Sequence, residues 1–127
     1  MGRRAFPWVT GAAGLLACSL MAMSVPAQAQ SAERGKTIYE ARCSACHSVD
    51  ANRVGPMHRG VLGRKAGSVK GYDYSEALAK SKIVWSRESL QAWLSEPEKL
   101  IPGQKMGYSL GQAQDRADVV AYLATLK

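Results

Sequence analysis

The sequence predicts an all-α domain of short helices joined by long loops. Three observations carry that prediction. Several short windows place apolar residues at spacings of three and four, ending with Val119, Tyr122, Leu123 and Leu126. Glycine and proline interrupt the chain between those windows, with five glycines and one proline from Gly55 to Gly71. The chain has 127 residues, enough for one domain, and no internal repeat.

In chain order, the first thirty residues read as an export signal. Arg3 and Arg4 form a small basic cluster, a largely apolar run covers Ala5 to Val25, and Pro26-Ala27-Gln28-Ala29 supplies an A-x-A exit. Residues 1–29 are therefore expected to be cleaved, leaving a domain over 30–127. The alternative is a retained anchor, since the run is nearly long enough to span a membrane. Leu15-Leu16-Ala17-Cys18 also resembles a lipobox, in which Cys18 would become a lipidated N-terminus. Arg3-Arg4 with Phe6 faintly resembles a twin-arginine signal, although paired n-region arginines are more often just positive charge and ordinary unfolded export is expected.

Beyond the signal, Ser31 to Arg42 is expected to be helical, with Ile38 and Tyr39 on one face. Gly55 to Gly71 is loop, and Ser75 to Lys80 is a short helix. Ser86 reads as the N-cap of a helix running to Ser95 and stopping before Pro97. Pro102-Gly103 marks a turn, and Gln112 to Leu126 is the strongest helical pattern.

Removing the signal takes Arg3 and Arg4, so the net charge falls from +7 to +5. That excess suits an acidic protein partner or an anionic surface. The absence of a basic run, together with the export signal, argues against nucleic acid. The remaining domain has fewer than 100 residues and much loop, so its core is thin. A disulfide between neighbours would close too little chain to compensate. The composition points to a bulky prosthetic group.

The stretch CSACH, from Cys43 to His47, says which group. Two thiols and an imidazole within five residues suit zinc, a redox dithiol or covalent haem. Structural zinc needs four ligands, and after signal removal only His58 remains as a further histidine. A thioredoxin-type dithiol sits in a strand–helix setting, whereas here a helix pattern precedes and no strand pattern follows. C-x-x-C-H is the c-type haem signature, with Cys43 and Cys46 adding across the vinyl groups and His47 beneath the iron.

The sixth iron position decides between gas chemistry and electron transfer. Signal removal leaves Met57 and Met106 as the available thioethers. Met57 lies too close in sequence to His47 to reach the opposite face. Met106 follows a Pro- and Gly-containing loop from Ile101, and its polar surroundings suit a ligand better than core filler. Met106 is the expected axial ligand.

The order of motifs GKTIYEARCSACH, VGPMHRGVLGRKAG, GYDYSEALAKSKIVW, LQAWLSEPEKLIPGQKM and DVVAYLATLK resembles the class I cytochromes c, the soluble mitochondrial and alphaproteobacterial type, over residues 32–126. The resemblance implies a fold in which short helices and long loops surround one covalent haem c and the N- and C-terminal helices cross. Gly35, Tyr39 and Tyr122 would lie at that crossing. It also implies that the Pro56 carbonyl accepts the His47 ring N–H. Arg64, Tyr74 and Trp85 would donate around the propionates, which are costly to bury without donors.

Several positions depart from the mitochondrial pattern. Trp93 stands for a tyrosine, Leu78 for an asparagine, Gln104 for a threonine and Tyr108 for a phenylalanine. The first two imply a drier Met106 side. His58 replaces an apolar residue and is either structural or a titrating neighbour of the haem. Arg42, Lys99 and Lys105 fall on the expected docking ring, while Glu98 and Gln112-Ala113 take places of lysines, so the ring is thinner.

The resulting expectation is an exported, monomeric, periplasmic electron carrier, not an enzyme, with haem iron ligated by His47 and Met106. The resemblance implies redox complexes as partners. A quinol–cytochrome c oxidoreductase would donate; a terminal oxidase, a reaction centre or a periplasmic dehydrogenase would stand on the other side. Membrane association would come only through such partners unless Cys18 is lipidated.

Overall fold

The computed structural model describes residues 1–2 and 28–127. Arg3, Arg4, Cys18 and nearly all of the expected signal segment lie outside the described residues. Among the described residues no helix is long and apolar enough to cross a membrane.

Among the described residues five helices follow one another, separated by loops: α1 (Ala32–Arg42), α2 (Glu76–Ala79), α3 (Arg87–Ser95), α4 (Pro97–Leu100) and α5 (Ala113–Leu123). The helix starts are chemically marked. The Ser31 hydroxyl accepts from the Arg34 N–H at 3.1 Å, and Ser75 does the same for Leu78. Ser86 and Ser89 cap each other reciprocally: each side-chain oxygen accepts the other's backbone N–H, at 3.1 and 2.8 Å.

Two boundaries differ from expectation. The chain does leave the helix after Ser95, but Pro97 then opens the single turn of α4, at a position where its missing N–H costs nothing. The last helix ends at Leu123 rather than Leu126, and the Leu126 carbonyl instead accepts the Gly60 N–H at 2.6 Å. A lone antiparallel bridge joins Lys65 to Val84, tying the long loop back to the segment before α3.

The principal packing is α1 against α5. Gly35 makes it possible, because a Cβ there would lie 1.9 Å from the Asp118 carbonyl oxygen. Close approach of the backbones buries Tyr39 on α1 and Val119, Val120 and Leu123 on α5. Leu90 and Leu94 of α3 complete this core, with Trp85 and Ile101 from the flanking loops. Asp118 is also buried, at 1% exposure. Its carboxylate accepts from the Ser31 N–H at 2.8 Å, from Gln114 at 3.0 Å and from the Arg34 guanidinium. Burial pushes this carboxyl up. The Ser31, Arg34 and Gln114 bonds outweigh that push and hold it below its ordinary value.

Candidate functional site

CSACH is a turn wound directly onto the end of α1. Cys43 is the helix C-cap, its N–H donating to the Tyr39 carbonyl at 2.8 Å. The Cys43 carbonyl then accepts from both Cys46 and His47, at 3.1 and 2.8 Å. This tight reversal sends both thiols and the imidazole into the lining of a single cavity. Burial, with the Cys46 thiol adding to it, pushes the Cys43 thiol up to about 11. Such a thiol stays protonated at neutral pH, unlike the activated cysteine of a dithiol oxidoreductase.

His47 is held by backbone. Its Nδ1–H donates to the Pro56 carbonyl at 2.8 Å, which leaves Nε2 as the available lone pair. Burial lowers the imidazole pKa while the Pro56 bond opposes it, so the ring favours the neutral form that a metal ligand requires. The Gly55 backbone lies against the ring so closely that a Cβ would come within 2.1 Å of it.

The cavity has a volume of about 570 Å³, within the roughly 300–1,000 Å³ common for cofactor sites. Pro56, Arg64, Tyr74, Trp85 and Met106 all line it alongside Cys43, Cys46 and His47. The eight residues singled out in the sequence, drawn from five separate segments, thus surround one space. Met57 does not line it; its N–H is taken by Asn52 at 3.0 Å.

One part of the wall is polar. Arg64 donates to the Met57 and Arg59 carbonyls at 2.8 and 2.9 Å, which pins its guanidinium beside the cavity. Tyr74 accepts from the Val69 N–H at 3.2 Å and keeps its own proton free to donate. Arg64, Tyr74 and Trp85 therefore form a donor group suited to carboxylates. Apolar side chains line much of the remainder, Leu78 and Trp93 among them, with Trp93 tilted against Trp85 at 5.5 Å.

Met106 is presented by a loop whose supports the sequence did not reveal. The Gln104 side-chain oxygen accepts the Met106 N–H. The Gln104 amide donates to Glu98 at 3.3 Å, and Glu98 also accepts the Gly103 N–H at 2.8 Å. Lys105 reaches the Asp73 carbonyl at 3.1 Å. Of the expected docking cations, Arg42 and Lys105 border the cavity with Tyr108, whereas Lys99 does not and lies 3.6 Å from Glu96.

His58 sits within the site. Its ring stacks on His47 with centroids 4.2 Å apart and planes 20° off parallel. Its Nδ1 and the Tyr39 hydroxyl share a hydrogen bond at 2.9 Å. Burial first, then the charges of His47 and Arg64, push its pKa down to about 3. That shift favours the neutral ring.

A largely apolar cavity, two adjacent thiols, an imidazole with one free ring nitrogen, and a donor group for carboxylates fit a haem. Relatives fit the same description. The family model described as "Cytochrome c" matches residues 32–127. Cytochrome c of Euglena viridis is 46% identical over 99 residues, covering 76% of this chain and 97% of its own. Cytochrome c2 of Rhodopila globiformis is 47% identical over 97 residues, covering 73% and 91%. The solved structure of cytochrome cH from Methylobacterium extorquens superposes with a TM-score of 0.72 at 40% identity, covering 75% of this chain and 98% of that one. On geometry and kinship together, the chain belongs to the cytochrome c family: it is an electron-transfer haem protein carrying one haem c bound covalently through Cys43 and Cys46.

Proposed function

We propose that this protein is an exported, monomeric electron carrier of the bacterial periplasm, with His47 and Met106 as the two axial ligands of its haem iron. The observation that carries the reading is the single cavity lined by the CSACH turn and by Met106, which comes from a loop remote in sequence. When attached, the haem supplies a reversible one-electron couple. The chain's own residues keep that couple simple. Pro56 orients His47, Met106 closes the remaining position, and Leu78 and Trp93 exclude water beside it. Arg64, Tyr74 and Trp85 neutralise and hydrogen-bond the carboxylates. A sphere filled in both oxidation states suits outer-sphere transfer and leaves no position for substrate, which supports a carrier rather than an enzyme.

Export rests on the segment 1–29, and the periplasm follows from that export. The partners are redox complexes: a quinol–cytochrome c oxidoreductase as donor, and a terminal oxidase, reaction centre or periplasmic dehydrogenase in exchange with it. Arg42 and Lys105 beside the cavity mouth would meet acidic groups there.

The test is the visible spectrum of the reduced holoprotein with and without carbon monoxide at neutral pH. An unchanged low-spin spectrum supports a closed iron. Rapid, complete conversion to a carbonyl complex overturns the carrier reading. Mass spectrometry of the mature N-terminus separates cleavage after Ala29 from lipidation of Cys18.

A further inference from the structure

We infer that His58, held by the Tyr39 hydroxyl, is a positioning residue that fixes the plane of the His47 imidazole. The inference rests on the ligand reading of His47 and goes beyond it.

The geometry is a relay from the helix crossing to the ligand. Tyr39 is 4% exposed on α1 and packs against Tyr122 of α5, with ring centroids 5.2 Å apart. Its hydroxyl is hydrogen-bonded to His58 Nδ1 at 2.9 Å, and the His58 ring lies nearly parallel on His47. His58 lies in the turn after Pro56, where its own N–H donates to the Ser48 carbonyl at 3.1 Å, so the backbone is anchored as well.

The Pro56 bond alone does not define the ring plane. The Cβ attachment and the Pro56 bond set the ring plane only to within the tolerance of hydrogen-bond angles, and what lies against the ring faces decides the rest. A flat surface pressed on the ring removes that freedom, and His58 supplies one. An aliphatic side chain would fill the same volume without the hydroxyl anchor, so its surface would be neither flat nor held. In a low-spin ferric haem the plane of the axial imidazole selects the iron d orbital that carries the unpaired electron. It thereby sets how spin density is shared among the edges of the macrocycle. Tyr39 and His58 would thus choose the haem edges richest in spin.

The experiment is proton NMR of the ferric holoprotein, comparing wild type with His58→Leu, His58→Phe and Tyr39→Phe, with the sulfur-to-iron charge-transfer absorption recorded on each sample. Retention of that absorption shows that the fold and Met106 are intact. His58→Leu should redistribute the haem-methyl shifts most, and Tyr39→Phe and His58→Phe less, because each keeps a flat ring on His47 but loses the hydroxyl bond. Haem-methyl shifts in His58→Leu and Tyr39→Phe that coincide with wild type would overturn the inference. A wild-type spectrum that is high-spin, or lacks the sulfur band, would overturn it one step earlier, at the ligand assignment itself.

Discussion

The two sides of the haem cavity are built from different materials. On the His47 side the supports are backbone and buried rings: the Cys43 carbonyl, the Pro56 carbonyl, the Gly55 chain and the Tyr39–His58 pair behind them. The Met106 side is a loop braced by side chains that face water, namely Glu98, Gln104, Lys105 and Asp73. Backbone contacts within a turn cost little further entropy once the turn exists, whereas exposed polar side chains gain about 1 kcal/mol or less per bond. The contrast says which side yields first under stress. Met106 should detach while His47 stays in place.

The largest effect is expected on the rigid side. Gly55→Ala would drive a methyl into the His47 ring at 2.1 Å, against backbone on one side and His58 on the ring. We expect a loss of about 3 kcal/mol, at the upper end of overpacking costs, read by denaturant unfolding of the holoprotein. A variant as stable as wild type would mean that this wall is softer than described.

The helix crossing behind that wall should respond next. Asp118→Asn removes a buried charge with three donors and should cost about 1–2 kcal/mol at neutral pH. The sign with pH is set by its lowered pKa. Its contribution is complete above the ordinary carboxylate value and disappears as pH falls through the lower folded value. Wild type and variant should therefore converge in acid. A difference that persists undiminished at low pH would assign the effect to packing instead.

On the softer side, Glu98→Ala should loosen the Met106 loop by about 1 kcal/mol, or roughly fivefold in its opening equilibrium. Imidazole binding to the ferric holoprotein reads this directly as a roughly fivefold tighter apparent affinity. Unaltered affinity would show that the brace does not hold Met106.

The smallest effect belongs to the apolar lining of the same side. Restoring the polar pair with Trp93→Tyr and Leu78→Asn should move the redox midpoint while leaving stability within about 1 kcal/mol. An unmoved midpoint would remove the link between this drier wall and the potential.

Much of this was legible because it is local chemistry. Ser31 and Ser86 announce helix starts through their own hydroxyls, and the CSACH turn is specified within five residues. Met106 stood out because a thioether in a polar, glycine-containing loop has little else to do. What escaped notice depends on distance or on context. Tyr39 and His58 are 19 residues apart, and nothing in either neighbourhood indicates that they meet. Asp118 carries no signal in the sequence, because periodicity counts apolar side chains and is blind to a carboxylate buried with its donors. Pro97 was read as a stop, although the same fixed backbone angle that ends one helix can begin the next. Gln104 was visible as a substitution, but its bonds to Met106 and Glu98 require the loop's three-dimensional path.

The contact of Gly35 with Asp118 also has a consequence in time. It joins the first helix of the domain to the last, so the longest loop the chain can close must close to form it. Val119 and Leu123, which line the cavity from α5, reach their places only at that step. Until the final helix has docked, the cavity lacks one wall and the half-buried Cys43 thiol stands more open. Covalent attachment should therefore be least hindered before α5 docks on α1 and sets that wall in place.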